Sequence, residues 1–83
     1  MKVHIKYFAS IREALGMGGE TVETSASTVG DLRDELIGRG GTYAESLARD
    51  KSVRIAVNQT LAFEAMTFTD GAEIAFFPPV TGG

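Results

Sequence analysis

The sequence predicts a small α+β domain in which one main helix covers one face of a sheet. Three observations carry that prediction. Segments of alternating polar and apolar residues stand near both ends of the chain, as where Val3, Ile5 and Tyr7 interleave with Lys2, His4 and Lys6; this is the period of a strand with one buried face. One long stretch has helical spacing instead, at Val29, Leu32, Leu36 and Ile37. Finally, 83 residues with 43% hydrophobic content suffice for a single core and no more.

Taken in order, the first strand ends near Tyr7, and Phe8 falls on its outer face. Ser10-Ile11-Arg12-Glu13 has the form of a capping box opening a short helical turn through Leu15, with Gly16 as its stop. The Gly16-Met17-Gly18-Gly19 loop lacks the Lys-Ser/Thr of a phosphate loop and reads as a connection. Glu20 to Thr24 is expected to be a strand antiparallel to the first. Thr28-Val29-Gly30-Asp31 is a second capping box that opens the main helix, whose other side carries Asp31, Arg33, Asp34, Glu35 and Arg39. A weaker box at Thr42-Tyr43-Ala44-Glu45 suggests a short helix to Arg49. Val53, Ile55 and Val57 form a buried strand closed by a turn at Asn58-Gln59-Thr60, Leu61 to Thr67 reads as an irregular edge strand, and Asp70-Gly71 turns into the last strand, Glu73 to Phe77.

Composition removes several classes of function. With no cysteine, the chain has no disulfide, thiolate nucleophile, iron–sulfur ligand or zinc thiolate. A net charge of −3 without a basic run leaves no footprint for nucleic acid. The N-terminus lacks a signal-peptide core and no apolar run approaches the roughly 18 residues of a membrane span, so a cytoplasmic location is expected. His4 stands without a partner set, so no metal ligand or catalytic role is assigned to it.

The most informative stretch is Phe76-Phe77-Pro78-Pro79-Val80-Thr81-Gly82-Gly83. Two prolines cannot continue a sheet, so a domain of residues 1–77 is expected to give way to an extended tail, 78–83. Such a tail can reach about 20 Å. Gly82 and Gly83 carry no Cβ and can enter a channel too narrow for other residues, where the carboxylate of Gly83 is the chemical handle. If Ile74 is in the core, Phe77 lies outside, as Phe8 does; two phenylalanines on the uncovered face suggest an apolar docking patch beside the tail.

Ala56-Val57-Asn58-Gln59-Thr60-Leu61, Thr69-Asp70-Gly71 with Glu73, and the Ala75 to Gly83 ending closely resemble the small subunit of molybdopterin synthase, as does the Phe8-Ala9-Ser10-Ile11-Arg12-Glu13 segment. The resemblance implies a ubiquitin-like β-grasp fold with a mixed sheet. It also implies that Gly83 is adenylated by an E1-like activating enzyme using ATP and becomes a thiocarboxylate. Pro78, Pro79, Val80, Thr81 and Gly82 would then insert into the large synthase subunit, where sulfur passes to cyclic pyranopterin monophosphate. Phe8, Leu61 and Phe77 match the family's apolar interface positions, and no cofactor or metal is expected on the chain itself. A carrier for another sulfur pathway, and a protein modifier or plain interaction module with a ubiquitin-like surface, are the alternatives.

Overall fold

The computed structural model describes residues 1–79; the tail positions Val80, Thr81, Gly82 and Gly83 lie outside the described residues. The elements in chain order are β1 (Lys2–Tyr7), α1 (Ala9–Leu15), β2 (Gly19–Glu23), α2 (Val29–Ile37), α3 (Gly41–Leu47), β3 (Arg54–Val57), β4 (Thr60–Ala62) and β5 (Glu73–Phe77). The strands make one mixed sheet in the order β2-β1-β5-β3-β4. Its two central strands, β1 and β5, run parallel, while β2, β3 and β4 are added antiparallel to their neighbours.

Alternation in β1 buries Val3, Ile5 and Tyr7 completely and leaves Lys2, His4 and Lys6 in solvent. These side chains meet Ile55, Ile74 and Phe76 from the sheet and Ile11, Val29, Leu32, Leu36 and Leu47 from the helices in one cluster. Each fully buried aliphatic residue of this kind contributes about 1.5–3 kcal/mol. The longest helix, α2, shares this cover with α1 and α3.

The start of α2 follows the sequence reading and adds to it. The Thr28 hydroxyl accepts a hydrogen bond from the Asp31 N–H at 3.1 Å, as in an N-cap. The preceding two amides, Val29 and Gly30, donate to the carbonyls of Met66 (2.9 Å) and Glu64 (2.8 Å). Orphan donors of the helix therefore tie down the segment after β4. At the end of α1, Gly16 adopts the left-handed conformation at φ 74°.

Four local expectations need correction. The edge strand expected from Leu61 to Thr67 ends at Ala62, because the carbonyls of Glu64 and Met66 turn to the α2 amides instead of a strand partner. Ser10 does not cap α1: Phe8 does, without a side-chain bond, because its carbonyl receives the Ile11 and Arg12 amides and the helix starts directly after the strand. Likewise Thr42 lies inside α3, which begins after Gly40 and ends at Leu47. The fourth is larger. Arg33, read as part of the solvated side of α2, is 3% exposed. Its Nε donates to the Leu47 carbonyl at 2.8 Å, and Nη2 donates to the carbonyls of Ala48 (2.7 Å) and Lys51 (3.2 Å). Nη1 reaches Glu64 at 3.0 Å. A guanidinium can satisfy this many acceptors at once, so it holds the irregular α3–β3 connection against α2.

Candidate functional site

Helices cover one sheet face, and cross-strand register organises the other. Lys6, Ala75, Ala56 and Leu61 stand side by side across β1, β5, β3 and β4. In the next row Phe77 pairs with Arg54. Phe8 joins that row from the β1 side, because its N–H donates to the Phe76 carbonyl at 3.2 Å and carries the parallel ladder one step past the Tyr7–Phe76 pair. The register thus collects Phe8, Phe77 and Leu61, the three interface positions expected from the sequence, on one open face. Phe8 is 45% and Leu61 61% exposed, while Phe77 is half-buried. The two small alanines between them keep the middle of the face shallow.

Local backbone geometry sets these projections. Ala9 has φ 51°, a left-handed conformation that costs a non-glycine residue about 1 kcal/mol or more. It turns the chain from β1 into α1 immediately after Phe8. The expected turn after β3 is present but one residue shorter, since Thr60 already pairs with Val57: Asn58 and Gln59 both have positive φ, at 49° and 70°, as a two-residue hairpin requires. Asn58 is tied to β5 twice, since its N–H donates to the Glu73 carbonyl at 2.8 Å and its Oδ1 accepts the Glu73 amide at 3.0 Å. That turn fixes Leu61 opposite Ala56.

Sequence reasoning missed Phe63, which at 80% is the most exposed large apolar residue among those described. It follows the three-residue β4, too short for a period of two to assign a face. Pro78 and Pro79, the described part of the tail, are half-buried and follow β5 without regular structure. Pro78 lines an open cleft of about 400 Å³ with Ser10, Ile11, Lys51 and Val53.

Beneath this face a polar cluster closes the edge of the core. Tyr7, stacked on Phe76 at 6.2 Å, donates its hydroxyl to Glu20 at 2.8 Å. Tyr43 donates to the same Glu20 oxygen at 2.6 Å, and Arg39 reaches the other at 3.0 Å while lying over the Tyr43 ring. Burial first, and then the Glu20 carboxylate, push the Tyr7 phenol well above its ordinary range. Burial alone would raise Glu20, but the hydrogen bonds from Tyr43, Tyr7 and Arg39 outweigh it and hold the carboxyl below its ordinary value. Both Glu20 oxygens and both tyrosine hydroxyls are committed to neighbours, so the cluster braces β1, β2 and α3. His4 is exposed on β1, with Nδ1 3.1 Å from the Thr21 hydroxyl. No group of three or more His, Asp or Glu among the described residues could hold a metal ion. The open face thus carries exposed apolar side chains on the strand that leads into Pro78.

Comparison with known proteins agrees with this geometry. Over 81 residues the chain is 40% identical to the molybdopterin synthase sulfur carrier subunit of Escherichia coli, covering 98% of this chain and 99% of the relative. Its fold is similar to the crystal structure of SAMP1 from Haloferax volcanii, with a TM-score of 0.77, 28% identity and full coverage of both chains. It is also similar to a chain in the complex of subunits 1 and 2 of the molybdopterin-converting factor from Helicobacter pylori, with a TM-score of 0.70, 25% identity and full coverage of both. The fold is the ubiquitin-like β-grasp that the resemblance implied. A family model described as the ThiS family matches residues 5–83, from the first strand through the tail, and the chain belongs to that family.

Proposed function

We propose that the chain is the sulfur-carrier subunit of a molybdopterin synthase and works in the cytoplasm. The observation that carries this reading is the continuity of the Phe8–Phe77–Leu61 face with Pro78, from which five residues lead to Gly83. A docked partner surface would take up the apolar face and receive Pro78, Pro79, Val80, Thr81 and Gly82 as an inserted tail. The likeness to a relative named as a sulfur carrier subunit, and to a chain solved in complex with a second subunit, supports the same reading.

In this function Gly83 is the reacting residue. Its carboxylate is a poor acyl donor to sulfur until an E1-like activating enzyme transfers AMP to it from ATP, releasing pyrophosphate. A sulfur nucleophile then displaces AMP and leaves a thiocarboxylate. Within the large subunit that sulfur passes to cyclic pyranopterin monophosphate. The chain contributes presentation and docking, while the partners supply the base, the oxyanion stabilisers and the contacts to the pterin phosphate. ATP belongs to the activating enzyme, and this chain binds no cofactor or metal of its own.

Deleting Gly83 tests the assignment. Sulfur loading is expected to vanish while the melting midpoint and circular dichroism stay unchanged, and normal loading of the shortened chain would refute the role of the tail. The likeness to SAMP1, a small archaeal modifier protein, favours one second reading, in which the same terminus is joined to lysines of other proteins. Isopeptide-linked products without any thiocarboxylate would select it.

A further inference from the structure

The open face does not stop at Leu61. Arg54 stands directly opposite Phe77 in the β3–β5 ladder, and β4 lies on its other side, so the cation sits between the Phe77 end of the face and the β4 edge. Arg54, Leu61 and Phe63 line one cleft of about 230 Å³, and the acid in its wall, Glu64, is paired with Arg33 and Arg49 rather than with Arg54. Phe63 is exposed, yet its segment is anchored: its carbonyl accepts the Met66 amide at 3.0 Å, and the next residue's carbonyl accepts the Gly30 amide at 2.8 Å. An exposed aromatic ring on a fastened backbone loses little freedom on binding. Arg54 is exposed and, like Lys2, Arg12 and Lys51, makes no ion pair or side-chain hydrogen bond among the described residues; of these four cations it is the one that lines the cleft with Leu61 and Phe63.

We propose that Arg54 and Phe63 determine the specificity of the docking face, and that the cleft they share with Leu61 takes an apolar side chain of the synthase large subunit set beside a carboxylate. This rests on the reading of the open face as the surface that meets that subunit. The partner chemistry follows from what burial of the cleft demands. Phe63 and Leu61 supply apolar walls for one side chain. A guanidinium covered without a counter-charge would be strongly penalised, so a matching partner must bring an acid to Arg54. A partner lacking that acid is rejected by the same penalty, which is how one charge in an apolar surface gives selectivity.

Calorimetric titration of the full chain into the large subunit from the same organism tests this, with Phe63→Ser, Arg54→Gln and Phe77→Ala compared at low and high salt. All three variants should melt like the parent, because the altered side chains lie outside the core. Phe63→Ser is expected to weaken binding about tenfold. Arg54→Gln is expected to weaken it about tenfold at low salt and to flatten its salt dependence. Parent-like affinity for both variants while Phe77→Ala binds weakly would overturn the inference and leave the docking face standing. Parent-like affinity for Phe77→Ala as well would refute the docking face itself. Tighter binding by Arg54→Gln would show that no carboxylate faces this position and would equally overturn the proposal.

Discussion

Replacing Arg33 by methionine removes a buried cation but keeps a side chain of similar length, and should cost about 2 kcal/mol of folding stability. The magnitude follows from its partners. The buried Leu47 carbonyl accepts at 2.8 Å and loses its donor, which costs about 1–3 kcal/mol, whereas the half-buried Ala48 carbonyl loses its 2.7 Å partner but keeps the Lys51 amide at 2.9 Å. The 3.2 Å bond to Lys51 is longer and its residue is exposed, so it adds little. The ion pair with Glu64 is discounted as well, since that carboxylate is 43% exposed and screened by water. Apolar burial of the methionine offsets part of the loss. A domain of this size has a total stability of only about 4–12 kcal/mol. The melting midpoint should therefore fall by about 8–16 °C. Urea denaturation followed by far-UV circular dichroism gives the free energy, and Arg33→Lys, which keeps the charge but not the planar fork, should lose about half as much. A loss below about 1 kcal/mol for the methionine variant would mean that the α3–β3 connection does not depend on this clamp.

Other perturbations separate core, cluster and face. Leu36→Ala opens a cavity under α2 and is expected to cost about 2–5 kcal/mol, read from the same urea curves; an unchanged midpoint would contradict its place in the core. The polar cluster makes stability depend on pH at both ends. Tyr7 is raised on folding, so its contribution is complete below about pH 10 and declines above it, where the unfolded chain ionises and the folded one resists. Glu20 is lowered, so its contribution holds above about pH 4.3 and is lost as pH falls through its folded value. Tyr7→Phe should flatten the alkaline decline in a series of urea curves, and an equally steep decline in the variant would place the effect elsewhere.

Much of this architecture is legible in the residues because periodicity and burial agree. β1 is read correctly since Val3, Ile5 and Tyr7 alternate with residues that solvate well. α2 begins at Thr28 because a hydroxyl cap is a local interaction that needs no knowledge of the fold. Arg33 shows where this ends. Positions 29, 32, 33 and 36 form one helical stripe, so spacing alone places it on the buried face. Its charge argues the opposite, and the carbonyls that reconcile the two lie 14 to 18 residues later in an irregular segment. Tyr7 is similar: its ring belongs to an obvious apolar stripe, but the glutamate that accepts its hydroxyl comes from the neighbouring strand through pairing register. On the open face, Phe8 and Phe77 follow from alternation, whereas Phe63 depends on how a short strand ends against the α2 amides. Val80, Thr81, Gly82 and Gly83 lie beyond the described residues, and their role rests on the sequence and the family.

The central claim is that Gly83 carries sulfur, and intact mass spectrometry tests it most directly. The full chain is incubated with its activating enzyme, ATP and a sulfur source, and any change is mapped to the C-terminal peptide. The predicted result is replacement of one Gly83 oxygen by sulfur. An unchanged mass, with the activating enzyme shown to be competent on another carrier, would contradict it.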